Sequence, residues 1–277
     1  MARSAVLCSL GVALFAVLAP MARAQGVKYC SGEVANITAW ICDDLPSVPA
    51  GAFAGTDLFR PLPGVPDPAN PVKYQQIAGE TVFGPTNTRS LRGSATHGAV
   101  YILNEGFYFM LLIESDGEAA IVDAPEGSFM TGTDGVHPTG SWIGRSVNAL
   151  LSEGTKLKYI VYTHGHWDHI GASGFVYNDF NGVPEVVASE TLAASLRARD
   201  ARDPSTFFGN TRGVPLPSET FTGAGTIQVG KLTVSLKEVG AHQAGDLFVH
   251  VDKEEPGNKA AGIDKSILMI TDLVFPG

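Results

Sequence analysis

The chain has 277 residues, of which 44% are hydrophobic and 17% charged, so it can bury a sizeable core and is too weakly charged to be disordered throughout. Its formal net charge of −9 repels polyanions, which argues against a nucleic-acid substrate and weakly against anionic membrane surfaces. The composition therefore indicates a globular protein with one large domain or two small ones.

Residues 1–24 have the composition of a secretory signal peptide. Arg3 supplies a positive start, residues 5–19 are an apolar stretch, and the Ala-Arg-Ala sequence at 22–24 is a small-x-small cleavage site. A membrane anchor is the alternative, but the apolar stretch is short for a bilayer span and ends at Pro20. We expect the leader to be removed and the protein to be secreted, or periplasmic in a bacterial host, with no membrane attachment afterwards.

Residues 25–96 are rich in proline, glycine, aspartate and threonine and hold no sustained strand or helix period. Because no stretch keeps a period of two or 3.6 residues for long, this segment is interpreted as an extended N-terminal arm with short strands or turns lying over the core. Cys30 and Cys42 remain after the leader is lost, and in an oxidising compartment one disulfide between them is expected, with two free buried thiols as the alternative.

A different pattern begins at about Gly98. Three runs of apolar and β-branched residues predict strands, AVYILNEG, FYFMLLIES and GEAAIVDAP, and the last two are separated by the turn at residues 115–117. A helix is predicted from Ser141, as its N-cap, to Gly154. It leads into a short apolar strand at residues 157–163.

The rest of the chain continues this alternation. PEVVAS predicts a strand, SETLAASLRARD a helix capped by Ser189, residues 227–239 a hairpin, and LFVHV and KSILMITDLVF two more strands. Such an order favours a layered α/β architecture. Two histidines on this path, His137 in a loop and His250 in LFVHV, are interpreted as a solvated loop residue and a strand-face residue.

Four ligand-type side chains follow the strand at 157–163 within six residues: His164, His166, Asp168 and His169. Imidazole nitrogen and carboxylate oxygen are the ligands that a borderline dication such as zinc prefers. At a strand end, the i, i+2 spacing puts the first two histidines on one side, and the next turn can aim the other two residues at a second position. One loop can therefore hold two metals. A chance cluster of surface histidines is the alternative, and the small residues that follow at 171–174 argue against it.

The spacing His-x-His-x-Asp-His after a strand resembles the metal-binding motif of the metallo-β-lactamase-fold hydrolases. That superfamily includes zinc β-lactamases, acyl-homoserine lactonases, glyoxalase II thioesterases, alkylsulfatases and RNA-processing nucleases. The resemblance implies an α/β fold, the αβ/βα sandwich, for a domain spanning residues 97–277. The acidic net charge makes the nuclease branch the least compatible one.

The resemblance also implies further site residues. His242, in a loop after a hairpin, matches the third zinc histidine, although Ala241 stands where the family usually has glycine. Asp272 matches the aspartate that bridges two metals, and Asp123 matches the aspartate that supports the metal loop, with an ordinary strand-end cap as the alternative. The implied ligands of metal 1 are His164, His166 and His242, and those of metal 2 are Asp168, His169 and the bridging Asp272.

Family members usually continue with a helix and strands and supply a last histidine to the second metal. This sequence ends at Gly277. At the level of sequence, the expectation is either an incomplete version of a longer protein, with the second half of the sandwich truncated, or a deficient second metal site.

The expected chemistry is that of a binuclear zinc hydrolase. A water shared by two dications loses a proton near neutral pH and can attack an ester, lactone, thioester or amide carbonyl of a small molecule, while Asp168 could also take part in proton transfer. The bridging Asp272 favours lactonases and glyoxalase-type enzymes over β-lactamases, and export argues against intracellular glutathione thioesters. Two alternatives remain: a dioxygenase of the same fold with one iron, and a non-catalytic truncated relative that binds metal.

Overall fold

The computed structural model describes residues 60–61, 72–79, 82, 97–104, 108–125, 140–200, 214–240 and 242–272. These residues belong to one compact unit that extends from Phe59 to Gly277. The predicted signal peptide, the expected disulfide between Cys30 and Cys42, and His137 lie outside the described residues. Among the residues described, no helix combines the length and the apolar character that crossing a bilayer requires.

An eight-stranded sheet carries the N-terminal part of this unit, and its strands lie side by side in sequence order. They are β1 (Arg60–Pro61), β2 (Lys73–Gly79), β3 (Ala99–Asn104), β4 (Phe109–Ser115), β5 (Glu118–Val122), β6 (Lys156–Val161), β7 (Glu185–Ser189) and β8 (Glu219–Phe221). Pairing is antiparallel from β1 to β5 and parallel from β5 to β8. The carboxyl ends of β5, β6 and β7 therefore meet at one edge of the sheet, where a site can be built from their loops.

A second, four-stranded antiparallel sheet has the order β12-β11-β10-β9. Its strands are β9 (Ala224–Val229), β10 (Leu232–Glu238), β11 (Leu247–Val251) and β12 (Ile267–Ile270). Glu118 of β5 joins the two sheets, because its carboxylate accepts hydrogen bonds from Lys158 Nζ and from the amide of Gly230 in the β9–β10 turn, both at 2.9 Å. Together with the helices, the two sheets form the expected α/β sandwich.

The described part of the chain also forms five helices: α1 (Gly140–Leu150), α2 (Trp167–Ile170), α3 (Ser173–Asp179), α4 (Glu190–Asp200) and α5 (Pro256–Ala260). The core lies between the large sheet and the apolar faces of α1, α3 and α4, with Ile143, Val147 and Leu192 fully buried. Burial of such side chains contributes most of the stabilisation of the fold, at about 1.5–3 kcal/mol each.

Helix α1 is shorter than the predicted helix at 141–154. It begins at Gly140, so Ser141 lies inside it, and it ends at Leu150. The carboxylate of Glu114 accepts hydrogen bonds from the amide of Ser152 at 2.6 Å and from the hydroxyl of Thr155 at 2.8 Å. These hydrogen bonds to Glu114 of β4 hold the chain in a turn after Leu150, so the helix ends before Gly154.

Part of the predicted N-terminal arm belongs to the large sheet. Strand β2 pairs antiparallel with β3, with Tyr74 opposite Leu103, and the rings of Tyr74 and Tyr101 make an edge contact at 6.3 Å between centroids. Only Tyr74 and Ala78 are fully buried within β2, so its alternation is too weak to mark a strand in the sequence. At the other end of the chain, β12 ends at Ile270, and Asp272 follows the strand rather than interrupting it.

The predicted cap of helix α4 is confirmed. The amide of Leu192 donates to Ser189 Oγ at 3.1 Å, and this fully buried hydroxyl donates in turn to the carbonyl of Gly245 at 2.9 Å. Ser189 therefore both starts the helix and ties a loop of the small sheet to the end of β7.

We expect Ser189→Ala to lower the free energy of unfolding by about 2 kcal/mol, because a helix cap is lost and the buried carbonyl of Gly245 loses its donor. Urea denaturation followed by circular dichroism measures the change. Ser235→Ala, at a partly buried position on β10, is the control and should change the free energy by less than about 0.5 kcal/mol. Equal effects of the two substitutions would contradict the double role of Ser189.

Candidate metal centre

The predicted metal-binding loop, residues 164–169, is separated from the end of β6 by two residues. His166 lies in extended conformation, with φ −78° and ψ 144°, immediately before helix α2 begins at Trp167. Asp168 and His169 therefore lie in the first helical turn, and the amide of His169 donates to the carbonyl of His166 at 3.1 Å. The change from extended chain to helix aims the first two histidines and the last two residues of the motif at neighbouring but different positions.

The fold brings all six predicted metal ligands together in two groups. In the first, the ligand atoms of four residues lie within 4.8 Å of one another: His164, His166, His242 and Asp272. In the second, the same limit holds for Asp168, His169 and Asp272. Asp272 belongs to both groups, the arrangement that a bridging carboxylate requires. The assignment of each residue as a ligand stays a prediction.

The donor atoms are spaced as a divalent metal needs them. His242 Nε2 lies 3.1 Å from His166 Nδ1, His169 Nε2 lies 3.2 Å from Asp272 Oδ2, and His164 Nε2 lies 3.7 Å from the same oxygen. Ligands of a tetrahedral zinc ion at its usual bond lengths stand about 3.3 Å apart. Imidazoles and carboxylates at these distances fit a zinc-like dication, and the residues present are therefore able to hold metal.

The site is closed on one side and open on the other. His164 and His169 are 1% and 4% exposed, whereas His166, Asp168, His242 and Asp272 are only partly buried. A metal held here would be shielded by protein on the side of the sheet and would keep a face toward solvent. Catalytic metal sites need such an open position for water or substrate.

Asp123 occupies the predicted supporting position at the end of β5 and is fully buried. Its carboxylate accepts hydrogen bonds from the Thr163 amide at 2.9 Å and the Thr163 hydroxyl at 2.6 Å, and it lies 3.3 Å from His169 Nδ1. These contacts hold the metal loop and turn His169 Nε2 toward Asp272. Outer contacts of this kind fix the orientation of metal-bound histidines.

Two of the site carboxylates sit on strained backbone. Asp123 has φ 62° and Asp272 has φ 52°, in the left-handed region that residues other than glycine seldom adopt. Aspartate tolerates this region better than most residues. Both values occur where a strand ends and its side chain must turn toward the histidines, so the backbone conformation serves the placement of the carboxylates.

The histidine between the two carboxylates carries a shifted pKa. Burial alone would lower the pKa of His169, but hydrogen bonds to Asp123 and Asp272 and their negative charges outweigh it and raise the pKa to about 10. Burial opposes the charge on Asp272 as well, yet the hydrogen bond with His169 and the nearby histidines lower the pKa of this carboxyl group. The imidazole of His169 thus lies between two carboxylates, where positive charge is favoured.

Several residues that support the site were missed in the sequence. Thr271 Oγ1 donates to Thr163 Oγ1 at 2.8 Å, which continues the chain of hydrogen bonds to Asp123. The ring of Tyr108 lies edge-on to His169 with centroids 5.3 Å apart. Asp246, 2% exposed, accepts the amide of His242 at 2.6 Å. The only sequence signal concerns the two threonines, Thr163 and Thr271, each of which directly precedes a predicted ligand.

We expect Thr271→Val to weaken zinc binding by about 10–100-fold, because the residue before Asp272 loses its link to the Thr163–Asp123 pair while the side-chain volume is kept. Thr271→Ser retains the hydroxyl and should bind zinc as the unchanged protein does. Competition with a chromophoric chelator measures both affinities. Indistinguishable affinities for the two variants would show that this hydroxyl does not position Asp272.

The chain is similar to solved structures of metallo-beta-lactamases. The one from Novosphingobium pentaromativorans is 16% identical with a TM-score of 0.43, and the match covers 58% of this chain and 58% of that one. For the enzyme with a HARLDQ motif from Cronobacter sakazakii the values are 18%, 0.44, 73% and 64%, and for a subclass B3 enzyme of Bradyrhizobium japonicum they are 14%, 0.42, 63% and 56%. The chain spans less than two thirds of the length of each of these three proteins.

A family model described as the metallo-beta-lactamase superfamily matches residues 103–254, more than half of the chain. The matched region runs from the end of β3 past β11 and contains Asp123, the metal loop and His242, while Asp272 follows it. With this match and with the two groups of histidine and aspartate side chains around Asp272, the chain belongs to the metallo-beta-lactamase superfamily.

Proposed function

We propose that the protein is an exported, zinc-dependent metallohydrolase that uses two ions to cleave an ester, lactone or amide bond in a small molecule. The observation that carries the proposal is the pair of ligand groups that share Asp272. Each group alone offers three or four nitrogen and oxygen donors, and the shared carboxylate would keep two ions close enough to act on one bond.

The proposal of zinc rests on the donors. Imidazole is the majority ligand in the first group, and the second group adds His169 and the carboxylate of Asp168 to the shared Asp272, a mixture that suits zinc better than calcium or magnesium. When bound, such ions lower the pKa of coordinated water and polarise a carbonyl oxygen. Orientation, shielding and proton transfer would be the task of the protein side chains.

The residues around the site would orient and shield the reaction. Buried His164 and His169 exclude water from the side of the sheet, and the Asp123–Thr163 pair holds His169 in one orientation. Asp168 belongs to the second group and is partly exposed. There it can receive or hand on a proton when the substrate bond breaks, which is the catalytic role that we propose for it.

A small, uncharged or weakly charged substrate fits the electrostatics. The net charge of −9 disfavours nucleic acid and anionic membranes as partners, and the leader-like residues 1–24 support export. A lactone or ester is the favoured substrate class because Asp272 belongs to both ligand groups, and a bridging aspartate is typical of the lactonase and glyoxalase-type enzymes that the motif resembles. A β-lactam, as a strained amide, is the second substrate to be tested.

A single-iron dioxygenase of the same fold is the second candidate function. The first group has four possible ligands and the second only three, so one ion could be held more firmly than the other. Histidine and carboxylate ligands also suit iron in oxygenases. Metal content separates the two functions: about one iron per chain with oxygen consumption would favour the dioxygenase, and zinc with hydrolysis would favour the hydrolase.

The activity test uses the zinc-loaded full chain with p-nitrophenyl esters, γ-lactones and nitrocefin. We expect hydrolysis of at least one class, and we expect His166→Ala to reduce kcat/KM by at least about 100-fold, since losing a ligand should exceed the 10–100-fold effect of losing an outer contact. Chelation should abolish the activity and zinc should restore it.

His97→Ala is the matched control, because this histidine is exposed and lies outside both ligand groups. Its activity should equal that of the unchanged protein. Equal rates for His166→Ala and the unchanged protein on every substrate would contradict the hydrolase proposal and leave a metal-binding protein without turnover.

A further inference from the structure

We infer that Gln243 is a positioning residue for the three-histidine group, because its side-chain carbonyl fixes the peptide between His164 and His166 relative to His242. The inference rests on the proposed function, since it assigns Gln243 a task in binding the first ion. It concerns an outer contact rather than a ligand, and it makes a prediction about metal affinity that does not depend on the substrate.

The contact joins two loops that are distant in sequence. Gln243 Oε1 accepts a hydrogen bond from the amide of Gly165 at 2.7 Å, across 78 positions of the chain. Gly165 is buried and lies between the two histidines that begin the metal loop. A buried amide needs an acceptor, and here a side chain next to the third histidine supplies it.

The base of Gln243 is itself held firmly. Its backbone amide and that of His242 both donate to Asp246 Oδ2 at 2.6 Å, and Asp246 is almost completely buried. The loop is also tied to its surroundings by the amide of Leu247, which donates to the carbonyl of Thr163 at 2.9 Å. The side-chain carbonyl of Gln243 is therefore attached to a loop that is held in place by hydrogen bonds.

The spacing of the first group depends on this pair of loops. His166 comes from the metal loop and His242 from the β10–β11 loop, and their facing nitrogens lie 3.1 Å apart. The hydrogen bond from the Gly165 amide to the Gln243 side chain also spans the two loops, beside these nitrogens. Without this hydrogen bond, the peptide at Gly165 can rotate. Its neighbours His164 and His166 would then change the direction of their imidazole rings.

The second ligand group should be affected less. His169 is oriented by Asp123, which is held in turn by the Thr163 hydroxyl, whereas the Gln243 side chain accepts its hydrogen bond from Gly165. A loss of the Gln243 carbonyl therefore predicts a selective effect on one of two bound ions. Substitution of a residue that only stabilised the fold would weaken the binding of both ions together or of neither.

The test is a cobalt titration of the metal-free full chain, followed by the visible absorption of bound cobalt. Gln243→Met keeps the length of the side chain and removes the acceptor, and we expect it to weaken one of the two binding phases by about 10–100-fold and to change its spectrum. His242→Ala identifies that phase, because it removes a predicted ligand of the same ion. Gln243→Glu keeps an acceptor oxygen and should bind cobalt within about threefold of the unchanged protein.

Gln228→Met, on the exposed face of β9, is the control for a glutamine-to-methionine change and should leave both phases as they are. Should Gln243→Met fail to fold, Gln243→Asn, whose carbonyl is one methylene short of Gly165, carries the same expected loss. If Gln243→Met or Gln243→Asn binds cobalt as the protein without substitutions does, or if Gln243→Glu loses as much affinity as Gln243→Met, the inference about Gln243 is overturned and the proposed function is not. If the protein without substitutions binds no cobalt, both the proposed function and the inference are overturned.

Discussion

The position of the Asp272 carboxylate is the constraint on which the rest of the site depends. One of its oxygens lies 3.2 Å from His169 and 3.7 Å from His164, so a single side chain at the end of β12 reaches the residues of both ligand groups. Negative charge at this point balances the histidines, and the left-handed backbone of Asp272 turns the side chain toward them. Placement of one carboxylate thereby ties the small sheet to the metal loop of the large sheet.

The surrounding structure can be understood as support for that placement. Buried polar groups are expensive unless they are paired, and those near the site are linked in two chains of contacts. One runs from Thr271 through Thr163 to Asp123, and the other joins the loop of His242 to the peptide of Gly165. Both cross from one sheet to the other, so the ligand groups form only when the two sheets are packed together.

The sequence predicted much of the fold and the residues that meet at the site, because both produce local signals. Apolar runs that end in histidine or aspartate mark strand ends, and the motif at His164–His169 is compact. The bond between Thr271 and Thr163 joins residues 108 positions apart, and no periodicity reports such a pairing. Short strands were expected in the N-terminal arm, but the position of β2 in the large sheet was not predicted, because tertiary pairing with β3 rather than its own weak alternation makes it a strand.

The central proposal is that two metal ions bind on either side of Asp272. Anomalous diffraction at the zinc absorption edge, from crystals of the full chain grown with zinc, tests it most directly. The account predicts two peaks about 3.5–4 Å apart with the carboxylate of Asp272 between them. A single peak, or a carboxylate of Asp272 turned away from both positions, would contradict it.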